Sequence, residues 1–91
     1  MIFYHGTSEE NWNRIQQEGI LFGDRGTPSR CTYLATDKEE AMKYGPIVLQ
    51  VQYDPAIHPR DNNYADGCWQ MRVYEPIPLS QVKLLNARKE E

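Results

Sequence analysis

Residues 47–53, Ile47-Val48-Leu49-Gln50-Val51-Gln52-Tyr53, carry the strongest strand signal in the chain. They are rich in β-branched residues, alternate cleanly in their second half, and follow a Gly45-Pro46 stop. A strand is not stable alone, so this run commits the chain to a sheet. Shorter strand-like runs lie at 2–4, 20–22, 32–35, 69–74 and 81–85. Two helices are expected between them. The first spans 8–19: Thr7 or Ser8 can cap it, Thr7 with Glu10 fits the S/T-x-x-E box, and Gly19 suits its C-terminal end. Its apolar face is narrow, Trp12 and Ile15 with Ile20 just beyond the glycine. The second spans 38–44, capped by Thr36 or Asp37 and closed by Gly45-Pro46. On the strand at 69–74, Gln70, Arg72 and Tyr74 are expected on one face and Trp69, Met71 and Val73 on the other. The order β-α-β-β-α-β-β-β predicts an α+β fold.

With 91 residues the chain has room for one domain, 1–91, and a small core. Hydrophobic residues at 40% suffice for a globular fold, and a net charge of −3 argues against a basic nucleic-acid-binding face. No apolar run approaches the roughly 20 residues of a membrane span, and the N-terminus lacks a leader-like layout, so a cytoplasmic location without membrane contact is expected. Cys31 and Cys68 lie 37 positions apart with no C-x-x-C pair, so unlinked thiols are expected. The charged tail at 86–91 is expected to fray.

Familiar reaction motifs are absent: no G-x-x-x-x-G-K-[ST], G-x-G-x-x-G, G-x-S-x-G or H-E-x-x-H occurs. His5 and His58 fit no metal spacing, and no metal is expected. What remains is polar and aromatic residues at strand ends. His5 sits where the first strand is expected to turn, beside Gly6, whose missing side chain lets a ligand approach the backbone. Tyr33 begins a strand and Tyr44 ends the second helix. The loop 23–31 and the long irregular stretch 54–67 complete the candidate regions; a loop of the latter length in so small a domain is usually functional or disordered.

Tyr4-His5-Gly6-Thr7-Ser8, followed by Asn11-Trp12, Ile15 and Gly19-Ile20, resembles the opening motif of the poly(ADP-ribose) polymerase catalytic domain. Tyr33-Leu34-Ala35-Thr36-Asp37 through Tyr44 resembles that family's second motif, with its two tyrosines eleven positions apart. Gln70-Met71-Arg72-Val73-Tyr74-Glu75-Pro76, then Gln81-Val82-Lys83-Leu84-Leu85, resembles the final motif and terminal strand. The pieces occur in the family's order over residues 2–85. The resemblance implies an ADP-ribosyltransferase-like fold: two small, mostly antiparallel sheets and two short helices around a cleft for NAD, the co-substrate. It also implies transfer of a single ADP-ribose to a protein or nucleic-acid acceptor, or hydrolysis of NAD, with release of nicotinamide. His5 would then bond an adenosine ribose hydroxyl, Gly6 the nicotinamide amide, and Tyr33 and Tyr44 would pack about the nicotinamide. Thr7 and Arg25 are further donor-binding candidates. Gln70, His5 and Tyr33 are the catalytic candidates. Loop 23–31 would lie over the donor and loop 54–67 would face the acceptor. A monomer is expected.

Two residues depart from the family's pattern. The catalytic glutamate aligns with Gln70, which keeps a hydrogen bond but loses a charge. Ala41 stands where the family often has a serine on the nicotinamide amide. Both departures raise an alternative, a catalytically silent module of the same fold that binds NAD, ADP-ribose or a protein. A register shifted by two would put Arg72 at the catalytic position and resemble the RNA 2′-phosphotransferase branch. Glu75 is a third option for that position, on the opposite face from Gln70.

Overall fold

The computed structural model of the chain describes residues 1–22, 31–65 and 67–87. Among them the order is β1 (Ile2–Thr7), α1 (Glu9–Glu18), β2 (Ile20–Leu21), β3 (Thr32–Ala35), α2 (Lys38–Ala41), β4 (Ile47–Gln52), β5 (Gln70–Val73), β6 (Ile77–Pro78) and β7 (Val82–Ala87). Single 3-10 turns follow α2 at Met42–Tyr44 and β6 at Leu79–Gln81. The fold is α+β. A five-stranded antiparallel sheet runs β5-β3-β1-β4-β7, and a two-stranded antiparallel sheet pairs β2 with β6.

The alternation of β4 turns Ile47, Leu49 and Val51 onto one face of the large sheet. Register puts Val51 opposite Phe3 there, and on the neighbouring pair Leu34 opposite Met71. Phe3, Leu34, Leu49, Val51, Met71 and Val73 are all buried on this face, joined by Ile15 of α1 and by Leu21 and Ile77 of the small sheet. Burial of such side chains contributes about 1.5–3 kcal/mol each, so this one layer holds most of the favourable burial. The opposite face carries a smaller cluster, Ala35, Ala41 and Val48 with Tyr4 and Met42, under α2.

Ser8, rather than Thr7, caps α1: its side chain accepts from the Asn11 N–H, because Thr7 is still in β1 and buried. Gly19 closes the helix at φ 73°, a left-handed conformation that glycine adopts without steric cost. The expected turn at His5-Gly6-Thr7 is instead the end of β1, where these residues pair with Leu49, Val48 and Ile47. The second helix is shorter than expected and tightens into a 3-10 turn after Ala41. Asp37 caps it by accepting from the Glu39 N–H.

Met71 and Val73 point inward as their alternation required, but Trp69 precedes the strand and is 55% exposed. β7 runs to Ala87, beyond the expected end of the last strand, and β6 is an added element at Ile77–Pro78. The stretch after β4 runs alongside the outer edge of β5. Asn62 bridges Val73, the Asn63 N–H donates to the Arg72 carbonyl, and the Tyr74 N–H to the Asp61 carbonyl at 2.7 Å. Pairing of this kind covers an edge that would otherwise be open. Cys31 and Cys68 form no disulfide. Among the described residues no helix is long and apolar enough to cross a membrane.

Candidate functional site

β1 is paired with β4 at six positions, but with β3 at one, Tyr4 opposite Ala35. Where β1 continues as His5-Gly6-Thr7, the two strands are no longer in register. A cavity of about 280 Å³ opens there, with α1 and β2 forming its other side. That size is just below the usual range for small-molecule sites, about 300–1,000 Å³.

His5 ties the two strands together across this gap. Its Nδ1 lies 2.7 Å from the carbonyl oxygen of Tyr33. A carbonyl can only accept, so Nδ1 carries the proton, and in the neutral ring Nε2 is the accepting nitrogen. Tyr33 and Tyr44, 41% and 57% exposed, present ring surface to the cavity instead of filling the core. Gln70 lines the same cavity, and its Nε2 donates to the Tyr44 hydroxyl over a long 3.4 Å. Gly6 and Thr7 complete the β1 wall, with Thr7 buried. The residues expected at a ligand site from β1, β3, the 3-10 turn and β5 therefore surround one cavity. Arg25 and the rest of 23–30 lie outside the described residues.

Gly6 has a structural reason to be glycine that the sequence does not announce. A Cβ there would run into the carbonyl oxygen of Ala41 and come within 2.8 Å of its carbon. Gly45 is matched in the same way to the Thr7 backbone, whose Cα would lie 3.1 Å from its Cβ. The end of α2 is thus seated directly on β1 at two glycines, and the intervening turn carries Tyr44 to the cavity. The space beside Gly6 is filled by the protein's own backbone on that side.

Neither alternative to Gln70 enters the cavity. Arg72 stands opposite Tyr33 in the ladder, is exposed, and is held by its N–H to Asn63 Oδ1. Glu75 lies with another group of side chains. Its Oε1 accepts from the Tyr53 hydroxyl at 2.9 Å and faces His58 Nδ1 at 3.2 Å. Tyr53 stacks on His58, and its phenol is pushed up to about 12. Burial is the main cause, followed by its hydrogen bond to Glu75; the hydrogen bond from Asn62 opposes these, and the negative charges of Glu75 and Asp61 add smaller upward pushes.

Two sets of residues escaped the sequence analysis. Asn11, Arg14 and Glu18 line the cavity from α1, and Arg14 donates to Asn11 Oδ1 at 2.8 Å. Their three- and four-residue spacing places them on one helix face, a signal that was present but is common on solvated helices. His58, Asp61 and Glu75 bring their ligand-type atoms within 4.8 Å of one another. They come from a loop and a strand end with no periodicity to link them. Comparison with family models, with curated proteins and with solved structures gives no match to this chain.

Proposed function

We propose that this chain is an ADP-ribosyltransferase-like domain that binds NAD in the cleft between β1 and β3 and transfers a single ADP-ribose, to an acceptor macromolecule or to water, releasing nicotinamide. The observation that supports it is the convergence of His5, Gly6, Tyr33, Tyr44 and Gln70 on one cavity. These residues come from the three sequence pieces that resemble the polymerase catalytic domain, and nothing about their separation in sequence requires them to meet.

The donor set fits part of NAD. Two exposed tyrosine rings offer faces for a flat cationic ring. His5, in the cavity wall, offers an imidazole suited to a ribose hydroxyl. Arg14, at the α1 side, supplies a guanidinium suited to a phosphate oxygen. The cavity is of a size for a nucleoside portion, and the remainder of the dinucleotide extends beyond it. Breaking the N-glycosidic bond builds positive charge on the ribose. Gln70 can orient a ribose hydroxyl through its amide but contributes no negative charge against that development. Loss of one preorganised electrostatic contact costs about 3 kcal/mol, on the order of 10²-fold in rate. Turnover is therefore slow, and chain elongation is not expected. No metal takes part in this chemistry.

Gln70 and Ala41 together favour a second reading, a module that holds NAD or ADP-ribose without turning it over. One substitution separates the two. On the transferase reading, Gln70→Glu raises nicotinamide release from NAD by about 100-fold over the native chain. Release at background level in both proteins, with NAD still bound, supports the silent module. No binding by either removes both readings.

A further inference from the structure

Away from the cleft, we propose that His58, Asp61 and Glu75 form a binding site for a first-row divalent cation, with zinc as its best-suited occupant. The site lies where the stretch after β4 meets the end of β5. All three residues are half-buried, and their ligand-type atoms lie within 4.8 Å of one another. The donor set is one imidazole nitrogen and two carboxylate oxygens. That combination suits zinc and its neighbours, whereas calcium prefers six to eight oxygens.

The geometry is close to what such an ion needs. With ligand bonds of about 2.0–2.1 Å, two ligands of a tetrahedral zinc stand roughly 3.3 Å apart. His58 Nδ1 and Glu75 Oε1 already stand 3.2 Å apart. The Asp61 carboxylate lies within 4.8 Å of both, so closing the site falls to the side chains. The Asp61 backbone is fixed on both sides: its N–H donates to the His58 carbonyl at 3.0 Å, and its own carbonyl accepts from the Tyr74 N–H at 2.7 Å.

The surroundings hold the other two ligands in place. The Tyr53 hydroxyl donates to Glu75 Oε1, and the Tyr53 ring stacks on His58 with centroids 5.5 Å apart. Asn62 Nδ2 donates to the His58 carbonyl at 2.7 Å and to the Pro55 carbonyl at 3.2 Å, which fixes the turn carrying His58. Outer partners of this kind orient metal ligands and raise affinity. Three protein ligands leave one position for water. Binding replaces the His58–Glu75 contact by two bonds to the ion. The consequence is structural: the ion joins the loop to the strand that carries Gln70, without entering the cleft.

The test is a calorimetric titration of zinc chloride into the chain, freed of affinity tag and stripped with chelator, with cobalt as a spectroscopic stand-in. Saturation at one zinc per chain is expected, with a Tm rise of roughly 10–20 °C at hundredfold excess over Kd. Loss of an outer partner alone weakens metal binding about 10–100-fold, so Asp61→Asn, which retains both backbone bonds, is expected to cost at least 100-fold. Cys68→Ser is expected to bind as the native chain does, and the cobalt form to lack thiolate charge-transfer absorption. His58→Ala removes the ring stacked on Tyr53, so Asp61→Asn is the deciding variant. Unsaturable binding, unchanged affinity in Asp61→Asn, or a loss of binding in Cys68→Ser would each overturn the proposal.

Discussion

At the scale of single residues, Gly6 illustrates how a position can carry two explanations of different strength. Its place in the cavity wall fits the proposed close access of a ligand to the backbone. Its contact with the Ala41 carbonyl means that the fold needs the same thing. Gly6→Ala is therefore expected to lower stability by about 1–3 kcal/mol, the usual cost of overpacking a closed contact. A urea midpoint equal to that of the native chain would show that α2 can move aside. Tyr53 makes a second prediction. Its phenol is pushed up to about 12 in the folded chain, against an ordinary value near 10, so the folded state keeps a proton that the unfolded state releases. This contribution to stability is complete below pH 10 and is lost as pH rises through about 12. In chelator-containing buffer, alkaline unfolding of the native chain should steepen over that window, and Tyr53→Phe should not show it. Parallel profiles would contradict the assignment.

At the scale of elements, the caps decide where α1 begins. The sequence allowed Thr7 or Ser8, with the Thr7–Glu10 box pointing to Thr7, and the register of β1 against β4 overrules that box: Thr7 is held opposite Ile47, leaving Ser8 to accept from Asn11. Ser8→Ala is expected to cost about 1 kcal/mol, read as a lower urea midpoint, while an unchanged midpoint would mean that the Asn11 N–H finds another acceptor. The strand over 70–73 followed from a period-two pattern that burial obeys, Met71 and Val73 inward, Gln70 and Arg72 outward, whereas 32–35 and 47–52 followed from β-rich composition and are buried on both faces in part, Ala35 and Val48 lying under α2. Helix α1 followed from its Ser8 and Gly19 boundaries. What local patterns could not supply were contacts made at long range. β6 is two residues long and exists through β2. Trp69 reads as strand by composition but lies before the ladder. The cluster of His58, Asp61 and Glu75 depends on how the loop folds back on β5, and no spacing rule encodes that.

At the scale of the whole molecule, the large sheet is complete on one side and open on the other. β1 shares six register positions with β4 and one with β3, so the chain gives up sheet pairing where His5, Gly6 and Thr7 pass the cavity. In a chain with so small a core, that opening is costly, and the His5–Tyr33 hydrogen bond offsets part of it by joining the strands across the gap. The cleft draws on four separate stretches of chain, which is why its candidate residues could be named one at a time from sequence while their convergence could not. The two proposed sites occupy different places, the cleft beside β1 and β3 and the cation site at the end of β5, so each can fail without the other. Every functional reading of the cleft depends on its receiving NAD. Titration of the isotope-labelled chain with NAD, followed by chemical-shift mapping, tests it most directly. Saturable shifts centred on His5, Gly6, Tyr33, Tyr44 and Gln70 are expected, with free nicotinamide accumulating slowly in the same tube. A spectrum unmoved at millimolar NAD, or shifts confined to residues outside the cavity, would contradict it.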